Sequence, residues 1–203
     1  LKCFPQNPFR CKDQQGFFLC IKFFFLKDFL CCLKDLFSRF LRFTLLPGKF
    51  YIQVEDTMLA IGQVARAYRE KFPIPVIGIT GSVGKTTTKD MVASVLGQKF
   101  RVLKTEGNFN NELGLPLTLF RLTAQHQICV LEMGMNHFGE IDYLTQIAPP
   151  DVAVITNIGI THIEQLGSRE NIYREKLTIQ DGLSDGGVLV LNGDDDMLQK
   201  TKG

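Results

Sequence analysis

Neither sign of charge prevails in this chain. Its 203 residues carry 23 Lys and Arg against 21 Asp and Glu, a formal net charge of +2, so it has neither the basic footprint of a nucleic-acid binder nor an acidic tail. An uninterrupted apolar run is also missing. Residues 16–46 are crowded with Phe, Leu and Cys, but Lys22, Lys27, Asp28, Lys34, Asp35, Arg39 and Arg42 interrupt them. These charges come too often for the roughly 20 mainly apolar residues of a membrane span. No compact apolar core followed by a small-residue cleavage site is found in these residues, so they are not expected to be an ordinary secretory signal. Cysteine is scarce in the patterned part: Cys3, Cys11, Cys20, Cys31 and Cys32 lie in the first 32 residues, and Cys129 alone lies beyond them, inside an apolar run. Cys129 is expected as a reduced, buried thiol, and the compartment as reducing and cytoplasmic.

What is present divides unevenly. Residues 1–45 hold neither strand nor helix period cleanly, although the spacing over 27–43 allows an amphipathic helix. Order returns at Leu46-Pro47-Gly48-Lys49. Residues 51–54 alternate as a short strand, and Asp56 or Thr57 can cap a helix over 58–71 with Leu59, Ile61, Val64, Ala65 and Tyr68 on one side. Pro73 and Pro75 end that helix and restart the chain extended. The segment over 46–73 therefore reads as a linker and a leading helix. The length suffices for one good-sized domain plus a fragment. Because the chain opens on Leu and closes just after a turn, it is expected to be a piece of a longer protein.

The organising stretch is Thr80-Gly81-Ser82-Val83-Gly84-Lys85-Thr86-Thr87. A short apolar run over 76–79 predicts a buried strand, and a helical pattern starting at Thr86 places Met91, Val92, Val95 and Leu96 on one face. Strand, glycine turn, Lys-Thr and helix make a phosphate cradle. Glycines let main-chain N–H groups turn inward, the helix start adds partial positive charge, and Lys85 adds a full one. The Thr86 hydroxyl can face a metal ion. A common P-loop would place glycine at position 79, where this chain has Ile, so the loop is a compact form.

Beyond it, the pattern repeats as strand and helix. Strands are predicted over 100–103, 128–133, 152–155 and 188–191, the last as a core strand. Helices are predicted over 113–122 (interrupted by Pro116), 139–147 and 168–183. Such alternation predicts an α/β fold, a P-loop-containing parallel sheet flanked by helices, with ligands at the carboxyl ends of the strands. Candidate chemistry falls at those ends. Glu132 closes an apolar run and offers hard oxygens to Mg²⁺. Asn157 and His162 follow the strand over 152–155. Read alone, His162 is better explained by a structural role, since Mg²⁺ prefers oxygen, and Lys176 by a solvated helix position.

The combination of residues 80–88, Gly107-Asn108-Phe109-Asn110-Asn111-Glu112-Leu113-Gly114-Leu115-Pro116, Leu131-Glu132-Met133-Gly134-Met135-Asn136-His137, and Thr156-Asn157-Ile158-Gly159 with His162 resembles the Mur ligase family. Within it, the Asn-rich loop and the Glu-Met-Gly-Met run are similar to the branch that adds D-alanyl-D-alanine. The resemblance covers about residues 46–203 and is absent from 1–45, where a shifted reading frame or a truncation is expected. Residues 74–203 then correspond to the first part of the family's central ATP-binding domain. The resemblance implies ATP and Mg²⁺ as cofactors, and UDP-N-acetylmuramoyl-tripeptide and D-alanyl-D-alanine as substrates. Gly81, Ser82, Val83, Gly84, Lys85, Thr86 and Thr87 would hold phosphates, with Asn157 and either Asn110 or Asn111. Thr86 and Glu132 would hold one Mg²⁺, with His162 and a carbamylated Lys176 serving a second. Lys85, His162 and Lys176 would be the catalytic set. Lacking the family's other domains, the polypeptide is expected to be inactive alone. A sibling or folylpolyglutamate-type ligase, a generic P-loop phosphotransferase and a non-catalytic nucleotide-binding remnant are the alternatives.

Overall fold

The computed structural model describes residues 54–201 throughout. Before them it describes the backbone of β1 (Cys11–Asp13), β2 (Gly16–Cys20), β3 (Phe43–Leu46) and β4 (Lys49–Val54). The helix allowed over 27–43 lies outside the described residues, save Phe43, which opens β3. The chain divides into two units, Leu1–Tyr68 and Arg69–Gly203. In the first, β1 to β4 form an antiparallel sheet in the order β1-β2-β4-β3. Helix α1 (Thr57–Arg69) follows. Asp56 caps it, its Oδ1 accepting from the N–H groups of Met58 at 2.7 Å and Leu59 at 3.0 Å. Ile61, Val64 and Ala65 are buried as their spacing requires, but Leu59 is exposed and does not belong to that face.

The second unit is built on five parallel strands: β5 (Val76–Thr80), β6 (Val102–Lys104), β7 (Ile128–Glu132), β8 (Val152–Ile155) and β9 (Val188–Leu191). Their order is β6-β7-β5-β8-β9. The chain leaves the central strand β5 for one side of the sheet, then returns to the other for β8 and β9. The direction of winding therefore switches at β5, and in open α/β sheets the carboxyl end of the strand at such a switch is where ligands bind. Val76, Ile79, Cys129, Val130, Leu131 and Ala153 are fully buried, as expected of parallel strands covered on both faces.

Helix α2 (Lys85–Leu96) covers one face: Ile79, Ala93 and Val130 form a buried cluster, with Val92, Leu96 and Val154 packed against it. Met91 and Val95, predicted on the buried side, are exposed. The helix starts at Lys85, and its inner face is set by Lys89 and Ala93. Strand β9 also departs from expectation. It pairs with β8 alone, and Val188 and Val190 are 54% and 44% exposed. An apolar run that reads as a core strand is here an edge strand, because position in the sheet is not a local property of the run.

The remaining helices are shorter than predicted. α3 (Gly114–Leu119) takes Pro116 into its first turn, where a missing N–H leaves no helical bond unmade. α4 (Glu140–Ile147) begins after Gly139, which has φ 83°. A four-residue helix, α5 (Ile163–Leu166), was not predicted. α6 (Arg169–Leu177) is capped by the Ser168 hydroxyl and gives way to a 3₁₀ turn at Thr178–Gln180, so the helix predicted to 183 ends early. Among the described residues, no helix is long and apolar enough to cross a membrane.

Candidate phosphate and metal site

The bend after β5 turns through Gly81 at φ 145° and Gly84 at φ 81°, left-handed values that favour glycine. At Gly81 space also excludes a side chain, since a Cβ would lie 1.9 Å from Thr156 Oγ1. Lys85 folds back over the bend, its Nζ donating to the carbonyls of Gly81 at 2.8 Å and Ser82 at 3.3 Å. Burial lowers the pKa of this ammonium, while the Glu132 carboxylate acts to raise it.

The cradle differs from the expected one in which main-chain N–H groups point inward. Ser82 and Val83 are turned toward the loop after β8: the Ser82 N–H donates to the Asn157 carbonyl and the Val83 N–H to Asn157 Oδ1, each at 3.0 Å. Thr156 Oγ1 donates to the Val83 carbonyl at 2.7 Å, and the Gly159 N–H donates to Ser82 Oγ at 2.8 Å. Asn157 thus braces the loop from behind. The N–H groups left for an anion are those opening α2, at Lys85, Thr86 and Thr87, which have no intrahelical partner.

Register brings the candidate metal residues together. Ile79 stands opposite Glu132 in the β5–β7 ladder, so the Glu132 carboxylate lies beside the start of the bend. It is 2% exposed. The Thr86 hydroxyl donates to its Oε2 and the Asn110 amide to its Oε1, both at 2.8 Å. The main-chain N–H of Glu132 donates to the buried Thr105 hydroxyl at 3.0 Å, a partner the sequence did not advertise. Asn110 is held in turn by the Gly134 N–H, which donates to its carbonyl at 2.7 Å. Asn111 points elsewhere: its Oδ1 accepts from the Gly114 N–H at 2.8 Å and caps α3. Of the two asparagines, only Asn110 contacts Glu132.

Lys176, which composition alone would leave solvated, is 2% exposed, and no hydrogen bond of its ammonium is found among the described residues. Burial, together with the charge of Lys85, pushes its pKa down to about 7, against a small opposing pull from Glu175. His162 adopts a left-handed conformation at φ 63°. Partial burial and the charges of Lys176 and Lys85 hold its pKa below the ordinary imidazole value, with Glu140 opposing them. The charge of Lys85 thus acts on both His162 and Lys176, and that of Glu132 on Lys85. Burial and neighbouring positive charge favour the uncharged form of both side chains, His162 and Lys176.

Among the described residues, no group of three His, Cys, Asp or Glu side chains is arranged to hold an ion. The donor set that fits Mg²⁺ is the pair of hard oxygens on Thr86 and Glu132. Lys176 could join only after gaining oxygens of its own.

Two further buried carboxylates were missed. Glu175 accepts from the N–H groups of Gly139 at 2.9 Å and Ile141 at 3.1 Å, tying the start of α4 to α6. Asp195 lies in the acidic turn Asn192-Gly193-Asp194-Asp195-Asp196, a signal at a strand end that passed unread.

The family model described as "Mur ligase middle domain" matches residues 79–203. The UDP-N-acetylmuramoyl-tripeptide–D-alanyl-D-alanine ligase of Bacillus subtilis is 55% identical over 148 residues, which cover 73% of this chain and 32% of that protein. A crystal structure of MurF from Acinetobacter baumannii superposes with a TM-score of 0.72 at 41% identity, covering 76% of this chain and 35% of that one. MurF from Thermotoga maritima in complex with ADP does so with 0.69 at 41% identity, covering 72% and 34%. The chain spans about a third of the length of these relatives. With a compact glycine bend, a bracing asparagine and a strand-end glutamate in one parallel sheet, and with this match, the chain belongs to the Mur ligase family.

Proposed function

We propose that the chain carries the nucleotide- and metal-binding core of an ATP-dependent ligase that joins D-alanyl-D-alanine to UDP-N-acetylmuramoyl-tripeptide, a cytoplasmic step in making the peptidoglycan precursor of the cell wall. The observation that carries this reading is the Glu132 carboxylate held at 2.8 Å by both Thr86 and Asn110 beside the glycine bend. A free carboxylate resists attack by an amine because it offers no leaving group. In the proposed reaction it takes the γ-phosphoryl group of ATP to become an acyl phosphate, and the dipeptide amine then displaces phosphate.

Two anions must meet in the first step, so charge neutralisation and positioning are the protein's main tasks. Lys85 and the N–H groups at the start of α2 supply fixed positive charge. Thr86 and Glu132 would hold one Mg²⁺, which supplies further neutralisation of phosphate charge when bound. His162 offers a neutral nitrogen for a second. The low pKa of Lys176 suits it to carbamylation: its neutral amine forms an N–C bond to CO₂, an electron pair of one C=O bond moves to oxygen, and one proton leaves to water. The anionic product would give Lys176 the oxygens that a hard cation needs. Gly81, Ser82, Val83, Gly84, Thr87, Asn110 and Asn157 shape or line the phosphate-binding surface.

Titrating the 203-residue chain with ADP and ATP, with and without Mg²⁺, tests the reading. Mg²⁺-dependent binding is expected, and its loss in Lys85→Ala. Supplied with both further substrates, the chain is expected to bind nucleotide without forming the amide, since it spans only about a third of its relatives. Robust turnover would overturn that part, and absence of nucleotide binding would overturn the whole.

A further inference from the structure

Asp195 is a buried carboxylate, 9% exposed, that the proposed reaction does not use. Its Oδ1 accepts from the N–H groups of Met197 at 2.9 Å and Leu198 at 3.0 Å, anchoring it in the turn after β9. Its Oδ2 accepts from the Ile158 N–H at 2.9 Å. The Ile158 carbonyl is held from another element: Nε of Arg169, the first residue of α6, donates to it at 2.7 Å. The terminal nitrogens of Arg169 pair with Asp196. Both main-chain polar groups of Ile158 are therefore gripped by charged side chains, and its own side chain is 1% exposed. The residues on either side, Asn157 and Gly159, are those that hold Ser82 and Val83.

We propose that Asp195, with Arg169, is a positioning residue for the phosphate loop, acting through Ile158 to keep Asn157 and Gly159 where they brace Ser82 and Val83. The functional half of this inference rests on the reading that the bend binds nucleotide phosphate. Loops between strands and helices are ordinarily among the more mobile parts of a domain. Hydrogen bonds to a charged acceptor or from a charged donor are stronger than neutral ones, so a grip with one of each suits a loop that must hold its shape. It also gives the turn after the edge strand β9 a share in the site.

Amide hydrogen exchange on the whole 203-residue chain, followed residue by residue, separates positioning from mere stability. In Asp195→Ala, the Ser82 and Val83 amides are expected to exchange about tenfold faster, while those of Val130 and Leu131 in the sheet stay as in the parent, the mark of local opening. Affinity for ADP with Mg²⁺ is expected to fall by about tenfold, the size of effect that loss of one charged hydrogen bond produces. Asp195→Asn keeps one acceptor for three donors and is expected to restore part of both. An equal rise at every amide, or no change at Ser82 and Val83, overturns the inference. So does failure of both variants to fold, which would make Asp195 a residue of the fold alone. If the parent chain binds no nucleotide, the proposed function fails, while the exchange rates still decide whether the grip exists.

Discussion

Thr86 donates its hydroxyl hydrogen to the Glu132 carboxylate at 2.8 Å across 46 positions of sequence. The chain crosses to β6 and back before reaching Glu132, and the direct pairing of β5 with β7 closes the gap. A hydroxyl and a carboxylate at this distance at the start of a helix make a pair of oxygens for a hard cation. Glu132→Gln keeps the shape and removes the charge. The Mg²⁺-dependent gain in nucleotide affinity is expected to drop by about tenfold, roughly 1.4 kcal/mol, with little change in metal-free binding. Calorimetric titration with and without Mg²⁺ measures it, and an equal loss under both conditions would remove Glu132 from the metal site.

Lys176 should cost the fold stability near neutral pH. Its amine has a pKa of about 7 in the folded chain against an ordinary 10.5. Between those values the unfolded chain binds a proton that the folded chain does not, so the stability of the parent rises with pH across that window. Below about 7 the whole penalty is present, because both states are protonated there and the folded one is strained by the buried charge. Lys176→Met is therefore expected to be more stable at pH 7, by an amount on the order of a few kcal/mol, and to show a flatter pH profile. Urea unfolding in CO₂-free buffer from about pH 6 to about pH 10 gives the two curves. Parallel curves would mean that the amine is not buried as described.

The two glycines of the bend should differ in tolerance. Gly84 has φ 81° but nothing within 4 Å of where a Cβ would stand, whereas at Gly81 a Cβ would meet Thr156 Oγ1 at 1.9 Å. Relieving that clash by turning Thr156 breaks its bond to the Val83 carbonyl. Gly84→Ala is expected to cost about 1 kcal/mol of backbone strain. Gly81→Ala should cost more and abolish nucleotide binding. Denaturation midpoints and ADP titrations of the two variants test the ranking, which an equal effect would contradict.

Cys129 is fully buried in β7, and burial pushes its thiol up to about 12, with Arg69 opposing. A thiol in that state presents almost no thiolate near neutral pH. Alkylation of the native chain should spare the peptide containing Cys129, and alkylation in denaturant should label it. Peptide mapping by mass spectrometry reads the outcome, and native labelling of that peptide would refute the burial.

The parallel sheet, the glycine bend and the helix after it could be read directly from the sequence, because each depends on residues next to one another: an apolar run, two glycines, a lysine and a threonine. The place of Glu132 at the end of a buried strand was also readable, since it closes such a run. Errors came where burial is decided by distant neighbours. Met91 and Val95 are spaced like a buried face but lie outward, and the run over 188–191 reads as core but lies at the sheet edge. Lys176 sits among Arg174 and Glu175 in a stretch of solvent-loving composition, yet is buried.

By itself the sequence determined the strands of the parallel sheet, the helix that follows the glycine bend and the place of the bend itself, since backbone preference and apolar spacing act over a few residues. Tertiary structure alone decided that Asn110 rather than Asn111 reaches Glu132, that Asn157 turns the N–H groups of Ser82 and Val83 away from the cradle, and that Asp195 and Arg169 grip Ile158. Each of these depends on which strand lies beside which, and hydrogen bonds between loops form only after the sheet has brought the ends of its strands to one edge.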